Sequence, residues 1–332
     1  MGDVAMTTHV LKALEDTYPD LKITILTRAF FTPIFLGLKN VTVFEADVKG
    51  KHNGVIGLWR LYNELKALNV NAVADLHNVL RSNILKRFFQ LGGIPFKQID
   101  KGRSEKKALT EKEKKTFVQL KSTHQRYADV FTDLGYTISL SPTTVLKKKT
   151  LPEKVMKILG QNHLKWVGIA PFAAYSGKMY PLNLMEEVVA KLNDSNRYIL
   201  LLFGGGDKEK ELLNSWESRF NNSKCLVGKL PFEDELALIS NLDVMLSMDS
   251  GNAHLASMYG VPTITLWGVT HPFAGFTPFG QEPENSILAD RTKYPLIPTS
   301  IYGNKYPPGY EKVMETISTT KVVEKVQQIL NV

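Results

Sequence analysis

Residues 242–268, LDVMLSMDSGNAHLASMYGVPTITLWG, constrain the fold more than any other part of the chain. Residues 243–248 form a short apolar run of strand length, which a polar turn and a helix-forming segment follow. Gly260 and Pro262 predict the end of that helix. Residues 261–267 are apolar and rich in β-branched side chains, which predicts a second strand. A strand, a short helix and a strand form a βαβ unit, so both strands are expected to be parallel and buried.

The turn after the first of these strands has the features of an anion site. Ligands of parallel α/β sheets bind at the carboxyl ends of the strands, where this turn lies. Amides that open a helix lack intrahelical partners, so those of Ser250, Gly251 and Asn252 can receive a phosphate or diphosphate. The same pattern equally fits Asp249 or Ser250 as a simple helix cap, and His254 alone fits a buried histidine.

Length and composition indicate a protein of ordinary globular type. The 332 residues have room for two domains, and the longest apolar run, 198–203, is too short to span a bilayer. The amino terminus lacks the basic-then-apolar order of a secretory signal. Cys225 is the only cysteine, which excludes an internal disulfide and a thiolate metal cage and fits a reducing cytoplasm.

The charge of the chain is concentrated in its first half. Residues 1–155 hold 25 Lys and Arg against 15 Asp and Glu, whereas the remainder holds 16 against 18. A basic half indicates an anionic partner such as nucleic acid, a membrane surface or a phosphorylated substrate. Residues 97–121 are lysine-rich but lack the aromatic ladder of nucleic-acid binders, so an anionic glycolipid headgroup fits better than nucleic acid.

Strand and helix patterns repeat in two series. The first runs to a helix at 124–134, and the second begins with a strand at 166–171. Residues 269–310, rich in Pro, Gly and Tyr, are predicted to be loop, and 319–330 to be an amphipathic helix. The predicted division is a first α/β domain at 1–152, a second at 153–310 and a helical segment at 311–332.

The string DSGNAHLASMYGVPTITLWGVTHP is similar to the signature DSG-x-x-H-LA-x-x-x-G-x-P-x-x-x-L-[FW]-G-x-T-x-P of glycosyltransferase family 9, the ADP-heptose:lipopolysaccharide heptosyltransferases. The resemblance implies the α/β architecture called GT-B, with two Rossmann-like αβα domains whose parallel sheets face each other across a cleft. It also implies that residues 1–152 bind the acceptor, that 153–310 bind the nucleotide sugar and that 311–332 return toward the first domain. It implies inverting transfer of a heptose, or a related sugar, from an ADP-sugar to a lipopolysaccharide inner-core acceptor. No cofactor is expected. Without a DxD pair flanked by strands, no metal is expected either.

The amino terminus, Met1-Gly2-Asp3-Val4, resembles a glycine loop of the family that there follows an apolar strand. No strand precedes it in this sequence. The first strand of the N-terminal domain is therefore expected to be missing, which would leave unpaired backbone groups in the first sheet. The resemblance also implies that Asp3 is the general base, whereas its position before a helix alone fits an N-cap.

A diphosphate leaving group needs a cation when no metal is present, and Lys178 is the candidate. Lys178-Met179-Tyr180-Pro181 is similar to the K-[RK]-[WY]-P stretch of the family, with Met179 in place of a basic residue. The alternative is an ordinary surface lysine. Glu209, or Glu211 if the alignment shifts, is expected to bind the ribose hydroxyls.

The resemblance implies two sets of binding residues. The donor set is Ala173, Ala174, Lys178, Glu209, Leu230, Asp249, Ser250, Gly251, His254 and Thr270. The acceptor set is Arg81, Lys101 and Arg103.

Three functions remain open from the sequence: a glycosyltransferase, a GT-B nucleotide-sugar epimerase, and a non-catalytic binder of nucleotide sugars or glycolipids. The expected location is the cytoplasm, including the inner face of the inner membrane, where an anionic glycolipid acceptor would lie.

Overall fold

The computed structural model describes residues 1–160 and 163–331, which form two compact units. The large unit comprises Met1–Met6, Ser104–Leu120 and Val145–Val332. The small unit comprises Thr7–Arg103 and Lys121–Thr144.

The first half of the chain alternates helices and short strands, as its apolar periodicity predicts. In chain order the elements are α1 (Gly2–Thr17), β1 (Ile23–Thr27), β2 (Val41–Glu45), α2 (Gly54–Lys66), β3 (Val73–Asp75), α3 (Leu80–Leu91), β4 (Phe96–Gln98), α4 (Arg103–Thr110) and α5 (Thr123–Thr132). Helix α3 illustrates this periodicity. Its apolar side chains recur at helical spacing, which makes such a segment readable from sequence.

The described strands of the small unit form two parallel pairs. Strand β1 pairs with β2, and β3 pairs with β4, so this unit holds two two-stranded sheets. One apolar cluster of this unit lies between α2 and α3, which bury side chains three and four residues apart on their facing sides. These core residues are Leu58, Leu61, Tyr62, Leu65, Leu85 and Phe89.

The second half of the chain builds the large unit. Its elements are α6 (Glu153–Leu159), β5 (Lys165–Ala170), α7 (Leu182–Asp194), β6 (Tyr198–Leu202), α8 (Asp207–Arg219), β7 (Ser223–Cys225), α9 (Phe232–Ile239), β8 (Val244–Met248), α10 (Gly251–Ser257), β9 (Thr263–Trp267), β10 (Ser286–Leu288) and α11 (Thr319–Leu330). The predicted βαβ unit is β8, α10 and β9. The two strands pair in parallel and are buried along their whole length.

The loop predicted for residues 269–310 is interrupted by a strand, β10, which pairs in parallel with β9. Strand β7 was likewise missing from the sequence prediction. Each has only three residues, too few to show a period of two. Such strands depend on the neighbour that offers them hydrogen bonds, and the sequence does not show which strand that is.

The six strands of the large sheet are all parallel and run in the order β10-β9-β8-β5-β6-β7. Counted within this unit, that order is 3-2-1-4-5-6 read from β7, the order of dinucleotide-binding Rossmann folds. The first strand, β5, therefore lies in the middle, with later strands added on both sides. After β7 the chain crosses to the other side of β5, so the direction in which strands are added reverses between β5 and β8. A crevice opens at such a switch point.

Residues Ser104–Leu120 belong to the large unit, whereas the predicted division at residue 152 places them in the first domain. Leu109, Leu120 and Ala274 form a small apolar cluster there with Phe117 and Phe273. The amide of Leu120 donates to the carbonyl of Phe273 at 2.9 Å. The difference arises because these contacts join parts of the chain far apart in sequence.

Lys115 fixes the same segment through a buried amine. Its Nζ donates to the carbonyls of Leu109, Leu296 and Pro298 at 3.1, 2.8 and 2.7 Å. Burial, together with the neighbouring charge of Arg291, lowers the pKa of Lys115 to about 8.

The last helix was predicted to return toward the N-terminal domain, but α11 packs within the large unit against α7 and β8. Thr319 at its first position accepts a hydrogen bond from Lys191 and donates one to Glu187, at 2.9 and 2.8 Å. Its apolar face, including Val322 and Val326, joins the main core of this unit.

Candidate active site

The candidate site lies at the carboxyl ends of β5 and β8, where the strand order of the large sheet reverses. The loop after β5 carries Lys178, and the turn after β8 carries Asp249. Because parallel strands end at the same edge of a sheet, both loops emerge at that edge, on neighbouring strands. The fold therefore brings together two side chains that are 71 positions apart in sequence.

Lys178 and Asp249 form a largely buried ion pair. The Nζ of Lys178 lies 2.9 Å from Oδ2 of Asp249, and the two side chains are 16% and 8% exposed. Thr270 donates its hydroxyl proton to the same oxygen at 2.9 Å. Lys178 is thus not an ordinary surface lysine, because a carboxylate holds its amine at the rim of the sheet.

The turn that carries Lys178 is packed against the end of β9. The carbonyl of Gly177 accepts from the amide of Val269 at 2.9 Å, and a β-carbon on Gly268 would lie 2.4 Å from that carbonyl oxygen. Only glycine fits such a close approach of two backbones. Tyr180 then anchors the loop, since its hydroxyl donates to the carbonyl of Ile317 at 2.7 Å.

Gly303 presses on the aliphatic part of Lys178 from the other side. A β-carbon on Gly303 would lie 2.2 Å from Cγ of Lys178, and the residue has φ +77°. Ser300 holds this turn by accepting from the amide of Gly303 at 3.0 Å. Sequence reasoning missed Gly303, and the only signal in the sequence is a glycine in a loop, which is typical of any turn.

The start of α10 has no side-chain cap. Ser250 is the N-cap residue, but its side chain makes no capping hydrogen bond. Its hydroxyl instead lies 3.0 Å from that of Ser247. The capping interpretation of Asp249 and Ser250 is therefore wrong, because Lys178 and Thr270 draw the Asp249 carboxylate away from the helix end.

The first residues of the chain lie against this helix start, within the same unit. A β-carbon on Gly2 would lie 3.0 Å from Cδ2 of His254 and 3.6 Å from Cα of Gly251. Helix α1 begins at Gly2, so Asp3 is exposed in its first turn rather than at a cap position. This contact brings Asp3 to the neighbourhood of Gly251.

Two further donor candidates are buried behind the rim. His254 lies inside α10 and is 6% exposed, and Thr270 is 1% exposed beneath Asp249. Next to Thr270, the pKa of His271 is lowered to about 4 by burial and by the charges of Arg291 and Lys115. The His271 ring is therefore neutral at pH 7, and its Nδ1 accepts from the amide of Phe273 at 3.1 Å.

The remaining donor candidates lie at the ends of β5, β6 and β7. Glu209 is in the first turn of α8, and its carboxylate accepts from the amide of Gly205 at 2.7 Å. Glu211 is exposed two residues further along the helix, on a different face from Glu209. Ala173 packs on the core, Ala174 is exposed, and Leu230 is half-buried before α9. Ala173 and Ala174 share the loop of Lys178, whereas Glu209 and Leu230 follow β6 and β7. The Lys178–Asp249 contact itself involves none of these four residues.

The acceptor candidates all lie in the small unit, around the ends of β3 and β4. Arg81 and Arg103 are exposed at the starts of α3 and α4, and Lys101 is half-buried. The loop that carries Lys101 is held by Arg126, a residue the sequence reasoning missed.

Arg126 is 4% exposed and donates to the carbonyls of Asp100 and Lys121, both at 3.3 Å. A β-carbon on Gly102 would lie 2.3 Å from Nη2 of Arg126. A buried arginine on a helix has no distinct pattern in sequence, because long cationic side chains are common on the outer faces of helices.

Within the described residues, the structure contains no group of three or more His, Cys, Asp or Glu side chains that could hold a metal ion. The same residues include no helix long and apolar enough to cross a bilayer.

A parallel sheet in this order, with a lysine–aspartate pair at its switch point, defines a Rossmann-like α/β unit. The fold matches that of GT-B heptosyltransferases. The profile of glycosyltransferase family 9 (heptosyltransferase) matches residues 58–298, and the chain belongs to this family.

Three similar proteins illustrate the relationship. Lipooligosaccharide heptosyltransferase 2 of Campylobacter jejuni is 26% identical over 200 residues, which are 58% of this chain and 60% of that protein. The glycosyl transferase family 9 structure from Veillonella parvula has a TM-score of 0.76 at 19% identity, covering 100% of this chain and 94% of that one. The E. coli heptosyltransferase WaaC with ADP-2-deoxy-2-fluoro heptose has a TM-score of 0.68 at 18% identity, covering 99% and 96%.

Proposed function

We propose that this chain is an inverting glycosyltransferase that moves a heptose, or a related sugar, from an ADP-sugar to a lipopolysaccharide or lipooligosaccharide inner-core acceptor. Membership of glycosyltransferase family 9 supports the reaction class. The E. coli relative was solved with an ADP-heptose analogue, which supports the donor class. The chain spans 60% of the length of the Campylobacter relative, so its acceptor is proposed at the level of the class alone.

The observation that carries the proposal is the Lys178–Asp249 pair beside the start of α10, with Gly2 packed against Gly251. In the proposed site, Lys178 and the first amides of α10 bind the diphosphate of the donor. A cation and oriented amides stabilise the negative charge that develops on a leaving diphosphate. The carboxylate of Asp249 keeps Lys178 in place until the diphosphate competes for it.

Asp3 is proposed as the general base. It takes the proton of the acceptor hydroxyl while that oxygen attacks the anomeric carbon of the donor sugar. The bond from that carbon to the diphosphate oxygen breaks, and its electron pair leaves with ADP. A single displacement of this kind inverts the configuration at the anomeric carbon and forms no covalent enzyme intermediate.

The acceptor is proposed to bind to the small unit. Arg81, Lys101 and Arg103 provide cations around the ends of β3 and β4, which suits a phosphorylated inner-core saccharide. Arg126 is proposed to position Lys101 through the backbone of Asp100.

The decisive test compares Asp3→Asn with Asp20→Asn, which removes an exposed carboxylate elsewhere. Asp3→Asn is expected to lower transfer from ADP-heptose at least about a hundredfold while donor binding, measured by thermal shift, is retained. Asp20→Asn is expected to behave as wild type. Full transfer activity in Asp3→Asn would refute the assigned base.

Two control reactions separate the proposal from other functions. Donor incubated without acceptor is expected to remain chemically unchanged, whereas conversion to an epimer would identify a nucleotide-sugar epimerase. Transfer is expected to persist in EDTA, and its loss would refute the metal-independent mechanism. Binding of both ligands without turnover would favour a non-catalytic binder.

A further inference from the structure

Helices α2 and α3 of the small unit carry apolar side chains on their outer faces as well as on their buried ones. Ile56 is 82% exposed, Leu80 78% and Leu91 86%, while Trp59 is 49% exposed. A surface helix normally presents polar side chains to water and keeps its apolar stripe for the core. Several large apolar side chains exposed together mark a site that binds a protein, a membrane or an apolar ligand.

The apolar side chains of the two helices meet at a ring contact. The rings of Trp59 and Phe88 lie edge to face, 5.0 Å apart, and join the two helices. On α3, Leu80, Ile84, Phe88 and Leu91 follow at spacings of three and four residues, which places them on one face. The α2–α3 patch is defined here by Val55, Ile56, Trp59, Leu80, Ile84, Phe88 and Leu91.

Exposed cations border this patch. Arg60 lies on α2, and Arg81 and Arg87 lie on α3, whose sequence contains no acidic residue. The only acidic residue of α2 is Glu64, which pairs with Lys51 and His52. The small unit as a whole holds 16 Lys and Arg against 10 Asp and Glu. The patch is therefore apolar at its centre and cationic at its edge.

We propose that the α2–α3 patch docks on an anionic lipid bilayer. Ile56, Leu80 and Leu91 would enter the boundary between headgroups and acyl chains, with the Trp59 ring at headgroup level. Arg60 and Arg87 would contact lipid phosphates. A second copy of the chain fits less well, because self-association through this patch would bring arginines against arginines. The inference goes beyond the proposed activity, and its test needs no sugar transfer.

The test measures sedimentation of the full chain with vesicles of phosphatidylethanolamine and phosphatidylglycerol, compared with vesicles of phosphatidylcholine alone. Ile56→Ser/Leu91→Ser removes two exposed anchors, and Arg60→Gln/Arg87→Gln removes two bordering charges. The matched controls are Leu36→Ser/Val118→Ser, two exposed apolar residues outside the patch, and Lys154→Gln/Lys208→Gln, which lowers the net charge equally.

Wild type is expected to bind the anionic vesicles, and binding is expected to weaken as salt rises. The arginine double variant is expected to bind about 30-fold more weakly at low salt, and the apolar double variant roughly tenfold more weakly. Both control variants are expected to bind as wild type.

Equal loss in patch and control variants would overturn the proposal, as would wild-type binding in both patch variants. Light scattering adds an independent outcome. A dimer that dissociates in Ile56→Ser/Leu91→Ser would also overturn the proposal, because it would show that the patch is covered by protein.

Discussion

Lys178 reaches Asp249 with its amine 2.9 Å from Oδ2, and Thr270 binds the same oxygen from the buried side. Among the described residues, the carboxylate therefore has two donors, and the Lys178 side chain remains 16% exposed. In the proposed mechanism, a diphosphate that competes for Lys178 leaves Asp249 with the Thr270 hydroxyl as its remaining donor. The lysine would then be held in place before the donor binds and still be available to it.

Removing the Lys178 amine should lower both the use of the donor and the stability of the fold. Lys178→Met is expected to lower kcat/KM for the donor about 100- to 1000-fold, since a charge that faces the leaving diphosphate is lost. It should also lower the free energy of unfolding by about 1 to 3 kcal/mol, because Asp249 remains buried without its cation. Steady-state kinetics and urea denaturation measure the two effects.

The double variant Lys178→Met/Asp249→Asn is the control for this prediction. It removes both charges, so stability should recover while activity stays low. Recovery of activity together with stability would mean that Lys178 acts only on the fold.

Gly303 should control the position of Lys178. In Gly303→Ala the new methyl group would overlap the lysine side chain, so the KM for the donor is expected to rise about tenfold or more. Gly309→Ala is the matched control, because Gly309 also has positive φ, +87°, but has no atoms within 4 Å of its β-carbon position. Both variants should lose about 1 to 2 kcal/mol of stability from backbone strain. Only the first should change donor KM.

Arg126→Met should weaken acceptor binding without touching the donor. The loss of its hydrogen bonds frees the loop at Asp100, so the KM for the acceptor is expected to rise several-fold. Stability should fall by about 1 to 3 kcal/mol, because two backbone carbonyls lose a charged donor. Arg219→Met, which removes a more exposed arginine paired with Glu186, is the control. An unchanged acceptor KM in Arg126→Met would separate this loop from acceptor binding.

Glu235 should make stability fall as pH rises. Burial raises its pKa to about 7 in the folded protein, above the 4.5 of a free side chain. The folded state therefore holds the proton more tightly. The stability that this provides is complete below pH 4.5 and is lost as pH rises to 7.

Glu235→Gln is accordingly expected to match wild type near pH 4.5 and to exceed it at pH 8 by on the order of 1 to 3 kcal/mol. Denaturation curves at several pH values measure this difference. Glu324→Gln, an exposed residue of α11, should leave the pH dependence unchanged. If the free energy of unfolding of Glu235→Gln changed with pH as in wild type, the raised pKa assigned to Glu235 would be contradicted.

The sequence predicts elements whose side chains repeat, and contacts that follow from the rules of parallel sheets. The helix α11 has its predicted bounds, because its side chains show an amphipathic period. The neighbourhood of Lys178 and Asp249 follows from two strands that end at one edge. Strand β10 and Gly303 could not be predicted in this way, because each depends on a partner distant in sequence.

The roles of side chains were harder to predict than their positions. Asp249 follows a strand and precedes a helix, which is the pattern of a cap, yet its carboxylate binds Lys178 and Thr270. Local pattern describes what a residue can do with its own backbone. A competing cation from another loop is stronger, and only the fold shows that it is there.

Because Ser104–Leu120 packs into the large unit, the two compact units do not correspond to two consecutive halves of the chain. A fragment cut at residue 152 would leave Phe273 and Ala274 without their cover and would remove the amine that ties Leu296 to Pro298. Such a fragment should aggregate when expressed alone, whereas adding the earlier segment in trans should restore its solubility. Domain exchange between relatives must therefore carry this segment along with the second half of the chain.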